Sequence, residues 1–332
     1  NDSTPTITGA GGEAGATVTL FDGATAVGTG TVQGDGSWSI TSTGLSNTQG
    51  AHSLTVKQTD LAGNTGVASG ALSITLDTVA NAPAALALVT ASDTGSSATD
   101  KKTKDDTPTI NGTAEAGALV TLYDTDGVTV LGTATASGTG AWSITSASLT
   151  VGIHYLTAKQ IDKAGNESAA SAALVVTIDT TAPVAGTPDL AAASDKGASN
   201  TDDLTNATTP VFTGTGDNGD KVELFRDING NGLLDTGEAL GTAATVANGV
   251  WSITSGALTA GGHNIKARHT DVAGNQSVSG ALPVTIDTTA PVAVTGLGLD
   301  AGSDTGVSAV DKLTNDSTPT ITGAGGEAGA TV

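Results

Sequence analysis

The stretch that decides the fold runs from Thr107 to Asp179: TPTINGTAEAGALVTLYDTDGVTVLGTATASGTGAWSITSASLTVGIHYLTAKQIDKAGNESAASAALVVTID. Six segments in it, 107–113, 118–123, 129–136, 141–145, 154–161 and 172–178, are rich in Val, Ile, Leu and Thr. Several alternate polar with apolar, and turn residues separate them, which is the pattern of half-buried strands. No segment carries a sustained helical stripe. A further short strand at 85–89 precedes the run. About seven strands in roughly 100 residues predict an all-β, immunoglobulin-like sandwich. The chain has no cysteine for an inter-sheet disulfide, so Trp142 is the expected pin of an aromatic-poor core.

Outward from this unit the same anchors return. Trp38, Trp142 and Trp251 each open a WSIT tetrapeptide, and Asp60, Asp162 and Asp271 each open D-x-A-G-N. His52, His154 and His263 each precede an alternating run, and equivalents lie 102 to 109 residues apart. Residues 1–18 also return letter for letter as 315–332. The expected organisation is tandem sandwiches forming an extended rod: 1–78 (leading strand missing), 79–180, 181–288 with an extra loop, and 289–332 as the truncated start of a fourth. The chain reads as a piece of something longer.

Composition narrows the function. Twelve Lys and Arg stand against 33 Asp and Glu, a formal charge of −21. A polyanion is repelled by nucleic acid and by anionic membrane surfaces, so neither is an expected partner, whereas divalent cations are. No apolar run is long enough to insert in a membrane. Without cysteine or methionine there are no thiol or zinc–thiolate sites. Catalysis needs a nucleophile and base, or paired carboxylates in a cleft. Here Ser, His and Asp recur as repeat elements, and three equal active sites in three joints make no enzyme. The repeated histidines open strands and read as structural.

Acidic residues gather where one unit hands over to the next. If consecutive strands are antiparallel, D-x-A-G-N lies at the end where the chain comes in, so Asp77 should meet Asp162 and Asp179 should meet Asp271. Clustered carboxylates repel by roughly 4 kcal/mol per pair at about 4 Å and an effective dielectric of 20. They therefore take up a cation or splay into solvent, and many oxygens in flexible loops select calcium. The residue-level alternative is a solvated acidic spacer.

A second candidate is more specific. Residues 227–238, DINGNGLLDTGE, fit D-x-[DN]-x-[DN]-G-x5-E at every defined position. Asp227, Asn229 and Asn231 would offer side-chain oxygens, Leu233 its carbonyl, Asp235 a direct or water-borne ligand, and Glu238 a closing bidentate carboxylate. The flanks are strand-like, so this is the calcium loop without its helix pair, a structural clip.

The combination TPTI-x-G-T-A-E-A-G-A, VTLYD, WSIT, H-x-L-T-A, D-x-A-G-N and VTIDTTAP resembles the bacterial immunoglobulin-like repeats of giant Gram-negative surface adhesins, the biofilm-associated and RTX-type proteins. The resemblance covers essentially the whole chain. It implies an extracellular, type I-secreted extender in which several calcium ions stiffen the joints between neighbouring repeats of one chain. It places joint ligands at Asp77, Asp93, Asp100 and Asp162, then Asp179, Asp195, Asp202 and Asp271, then Asp287, Asp304 and Asp311. The chain departs from the pattern at KKTKDD (101–106), where a weaker joint is expected, and at VANAP in place of TTAP. Two rival readings stay open. One is a repeat of a filament, sheath or surface layer that self-associates into fibres; the other is a glycan- or surface-binding module.

Overall fold

In the computed structural model, which describes residues 1–45, 49–197, 199–308 and 310–332, every regular element is a β-strand. By contact the chain divides into two units, residues 1–182 with 270–276, and residues 183–269 with 277–332.

In the first unit, residues 79–180 give the fullest view of the repeat. One sheet runs in the order Val130–Thr135, Leu119–Tyr123, Gly152–Ile161, Leu174–Ile178, Lys102–Thr103, and the other in the order Ala141–Thr145, Thr109–Thr113, Ala84–Leu88. Alternation along each strand turns one set of side chains inward. Val120, Leu122, Leu156, Val176 and Ile110 are fully buried between the sheets. The expected strands are present, with ends shifted by one or two residues. Lys102–Thr103 is a further strand outside those expected. This two-residue strand pairs in parallel with Thr177 and Ile178, and it makes the acidic segment part of the sheet. Thr103 is wholly buried there, and its hydroxyl donates to the Ser92 carbonyl.

Trp142 fills the core because its cross-strand partner is Gly112. A Cβ on Gly112 would lie 2.5 Å from the indole, so only glycine lets the ring lie across the neighbouring strand. The same pairing recurs as Gly9 with Trp38 and Gly214 with Trp251. The first repeat has the sheet Thr25–Thr31, Thr17–Asp22, Gly50–Thr59, Leu72–Leu76, facing a pair formed by Thr6–Gly9 and Trp38–Thr41.

The second unit repeats the plan. Asp189–Leu190, Val211–Thr215 and Val250–Thr254 form one sheet. Leu204–Thr205, Leu282–Ile286, Gly261–Thr270, Lys221–Arg226 and Ala244–Thr245 run in order through the other, with Gln276–Val278 paired to Gly261–Thr270 off that path. Phe212, Phe225 and Ile265 are fully buried between them. Thr295–Leu299 pairs with Ile321–Ala324, within the stretch that copies the N-terminal sequence.

Candidate metal centre

Among the described residues, one trio of metal-ligating side chains comes together: Asp77, Glu115 and Asp162 each offer a carboxylate oxygen, all within 4.8 Å of one another. Asp77 directly follows Leu72–Leu76, the last strand of the first repeat. Glu115 and Asp162 stand on two loops at the end of the second repeat where the chain comes in. Asp162 is buried; the other two are half-buried.

The D-x-A-G-N turn fixes Asp162. Asn166 donates its backbone N–H to Asp162 Oδ1 at 2.8 Å and its amide Nδ2 to Oδ2 at 2.7 Å. Burial pushes the Asp162 carboxyl up, but the Asn166 side chain and the turn's backbone N–H groups outweigh it and hold the pKa below the ordinary range. The same Nδ2 donates to the Asp77 carbonyl at 2.9 Å, so Asn166 ties the turn to the end of the preceding repeat. Asn275 does likewise on the Asp271 turn, reaching the Asp179 carbonyl at 2.7 Å and Asp271 Oδ2 at 2.9 Å.

Glu115 is a ligand candidate that reading the sequence for aspartate passed over. Asn81, from the VANAP departure, donates to its Oε1 through backbone N at 2.7 Å and Nδ2 at 3.0 Å. Gln160 completes the frame by donating Nε2 to the Asn81 carbonyl at 2.7 Å and accepting the Glu115 N–H at 2.8 Å. The signal was present: an acid stands at the same register in GGEAGA (Glu13), TAEAGA (Glu115) and TGDNGD (Asp217).

Asp93 and Asp100 do not join Asp77 and Asp162. The strand Ala84–Leu88 carries the chain across the sandwich before Asp93 is reached. The acidic segment then settles beside the exit of its own repeat, with Asp179 N donating to Thr103 O at 2.9 Å. There the Thr94 hydroxyl donates to the Ala273 carbonyl at 2.6 Å and Lys104 Nζ to the Gly274 carbonyl at 2.8 Å. The resemblance groups Asp93 and Asp100 with Asp77 and Asp162; in the structure the segment that carries them runs beside Asp179 and the Asp271 turn.

Each acidic segment has the same internal structure. Asp93, Asp195 and Asp304 are all less than a tenth exposed, and Oδ1 of each has no hydrogen-bond partner among the described residues. Their Oδ2 atoms face the N–H groups of Lys101, Asp203 and Lys312, three residues held at φ 60°, 58° and 63°. Asp100, Asp202 and Asp311 accept from the N–H two residues on. Burial, and then the charges of Asp195, Asp189 and Asp202, push the Asp203 carboxyl up. A buried carboxylate oxygen without a donor carries an uncompensated desolvation penalty, which a cation removes. The donor set is all oxygen, which fits calcium. Asp287 caps the third repeat by accepting from Thr289 N at 2.9 Å.

The histidines take no part in these clusters. His52 pairs with Asp22 at 2.8 Å and His154 with Asp124 at 2.7 Å, while His263 meets the Thr259 carbonyl at 2.8 Å. In the third repeat Arg226 stands at the register of Asp22 and Asp124, so that pair is not repeated.

Among solved structures, a Ca2+-stabilized adhesin that helps an Antarctic bacterium reach out and bind ice is 26% identical over 89% of this chain and 71% of its own, with a TM-score of 0.40. A 1.5-MDa bacterial ice-binding adhesin is 23% identical over 86% of this chain and 90% of its own, TM-score 0.38. The fibronectin(III)-like modules of Clostridium thermocellum CbhA are 18% identical over 56% and 87%, TM-score 0.32. No curated protein matches the chain. The family described as bacterial Ig-like domain matches residues 1–78, 79–180 and 181–288. Those three matches cover most of the sequence, and the chain belongs to the bacterial Ig-like domain family.

Proposed function

We propose that the chain is a stalk segment of a bacterial cell-surface adhesin, in which calcium stiffens the joints between immunoglobulin-like repeats spanning 1–78, 79–180 and 181–288, with 289–332 opening another. One observation carries the reading: Asp77 from one repeat meets Glu115 and Asp162 from the next, with oxygens within 4.8 Å. Three like charges at that range repel one another, and a cation among them would turn that repulsion into attraction. The role is mechanical and extracellular, and no step of chemistry is involved. Calcium would cancel the repulsion, restrict the angle between the first two repeats, and stabilise the folded chain because the unfolded chain has no such site. The weak affinity of extracellular calcium modules, about 10⁻⁴–10⁻³ M, suits this use.

Limited proteolysis tests the proposal. In chelator the linker at 77–84 should be cut readily, and in millimolar calcium it should resist. Equal cutting under both conditions would show the joint to be a solvated spacer.

A further inference from the structure

The loop at 227–238 is closed at its neck. Phe225 bridges to Ala239, Arg226 N donates to Glu238 O at 2.9 Å, and Asp227 N donates to Asn264 O at 3.1 Å. Sheet pairing therefore fixes the first and last acids of the loop before any ion arrives. Both are buried, Asp227 to 8% exposure and Glu238 to 4%. Glu238 is satisfied by Ile228 N at 2.8 Å and Asp235 N at 3.0 Å. Asp227 is not. Its Oδ2 accepts from Gly232 N at 3.1 Å, but its buried Oδ1 has no partner among the described residues.

Lys266 also reaches this carboxylate, placing Nζ 3.0 Å from Asp227 Oδ2. Aligned on the strand-opening histidines (HNIK, HYLT, HSLT), Lys266 corresponds to Thr157 and Thr55. The repeats with threonine at this register lack the loop, and the lysine occurs where the loop occurs. Its ammonium packs against the sharp turn, since a Cβ on Gly232 would lie 3.4 Å from Nζ.

We propose that residues 227–238 form a calcium site inside the third repeat, and that Lys266 is its resident counter-ion, which calcium must displace. Asp227, Asn229, Asn231, Asp235, Glu238 and the Leu233 carbonyl make an all-oxygen set that selects a hard divalent cation. Without metal the ammonium neutralises Asp227 and keeps the loop folded. Asn229 and Asn231 then donate their Nδ2 groups to Asp235 Oδ2, each at 2.8 Å. An ammonium and a divalent ion compete for one carboxylate, so binding ejects Lys266 and turns both amide oxygens inward. The loop is thus a calcium clip with a built-in competitor that lowers its affinity. This inference is independent of the joint reading.

The test is calcium binding to the whole chain by titration calorimetry and equilibrium dialysis, with magnesium as comparator. Glu238→Gln should lose one bound calcium. Lys266→Gln should tighten one site by about tenfold, the scale of one hydrogen bond to a charged group, and leave the others unchanged. Lys266→Arg should stay near wild type. If Glu238→Gln unfolds the repeat, Asp235→Asn at the exposed part of the loop should weaken the same site. An unchanged calcium count in Glu238→Gln, or unchanged affinity in Asp235→Asn, would overturn the site. Equal or weaker binding in Lys266→Gln would overturn the competitor role. Glu115→Gln should remove a different calcium; if it removes none, the joint reading fails and the loop stands.

Discussion

Glu115→Gln should change the sign of its effect on stability with calcium. The substitution keeps Oε1, which accepts both hydrogen bonds from Asn81, and removes only the charge. Glu115 and Asp77 lie within 4.8 Å, and at that outer limit they repel by about 0.9 kcal/mol in the dielectric of water and about 3.5 kcal/mol at an effective value of 20. Both side chains are half-exposed, so the lower end applies. In chelator the variant should therefore be more stable than wild type by about 1 kcal/mol, a rise of about 4–8 °C for a domain of this size. In calcium the order reverses. At a hundredfold excess over Kd, linkage adds about 2.7 kcal/mol to a chain that binds only when folded. The variant should lose most of that gain. Differential scanning calorimetry in chelator and in calcium reads both arms. A variant less stable by the same amount under both conditions would refute the argument, because Glu115 would then matter only for packing.

Gly112→Ala forces a methyl group to 2.5 Å from Trp142 and should destabilise the second repeat by about 1–3 kcal/mol, the usual range for overpacking, as read by urea unfolding followed through tryptophan fluorescence. Burial draws the His154 pKa down, but Asp124 and the Thr150 carbonyl outweigh it, so the folded value lies above the ordinary 6.5. A raised folded pKa means that the pair stabilises fully below pH 6.5 and loses its effect as pH rises through the higher folded value. Asp124, with its pKa lowered from 3.8, sets the acid side, where stability is lost as pH falls through the folded value. The melting-temperature difference between wild type and His154→Gln should accordingly be largest between about pH 4 and 6.5 and shrink by pH 8.5; a difference flat across that range would refute the pair's role.

The fold was legible because it rests on local signals. Alternating Val, Ile, Leu and Thr place strands such as Leu119–Tyr123, and the recurring WSIT marks the core tryptophan. Chain direction through antiparallel strands also foretold that Asp77 and Asp162 share one end of a sandwich. The strand Ala84–Leu88 lies between Asp77 and Asp93 and carries the chain away from the first joint. The role of Glu115, and the reach of Asn166 beyond its own turn, are not legible in the local pattern. Each residue lies in a motif that also reads as an ordinary turn, and its partner is remote in sequence: Asn81, 34 residues back at the opening of the same repeat, for Glu115, and Asp77, 89 residues back in the preceding repeat, for Asn166. Lys266 could not be found from the loop's own pattern. It belongs to a different strand, and only the sheet register brings it to Asp227.

The most direct measurement of the central claim is small-angle X-ray scattering of this chain in chelator and again in a few millimolar calcium, with Glu115→Gln alongside. The account predicts that calcium turns a broad, flexible profile into that of a stiffer particle, and that the variant responds less. Profiles that superimpose with and without calcium would contradict it, leaving the acidic joints as solvated spacers.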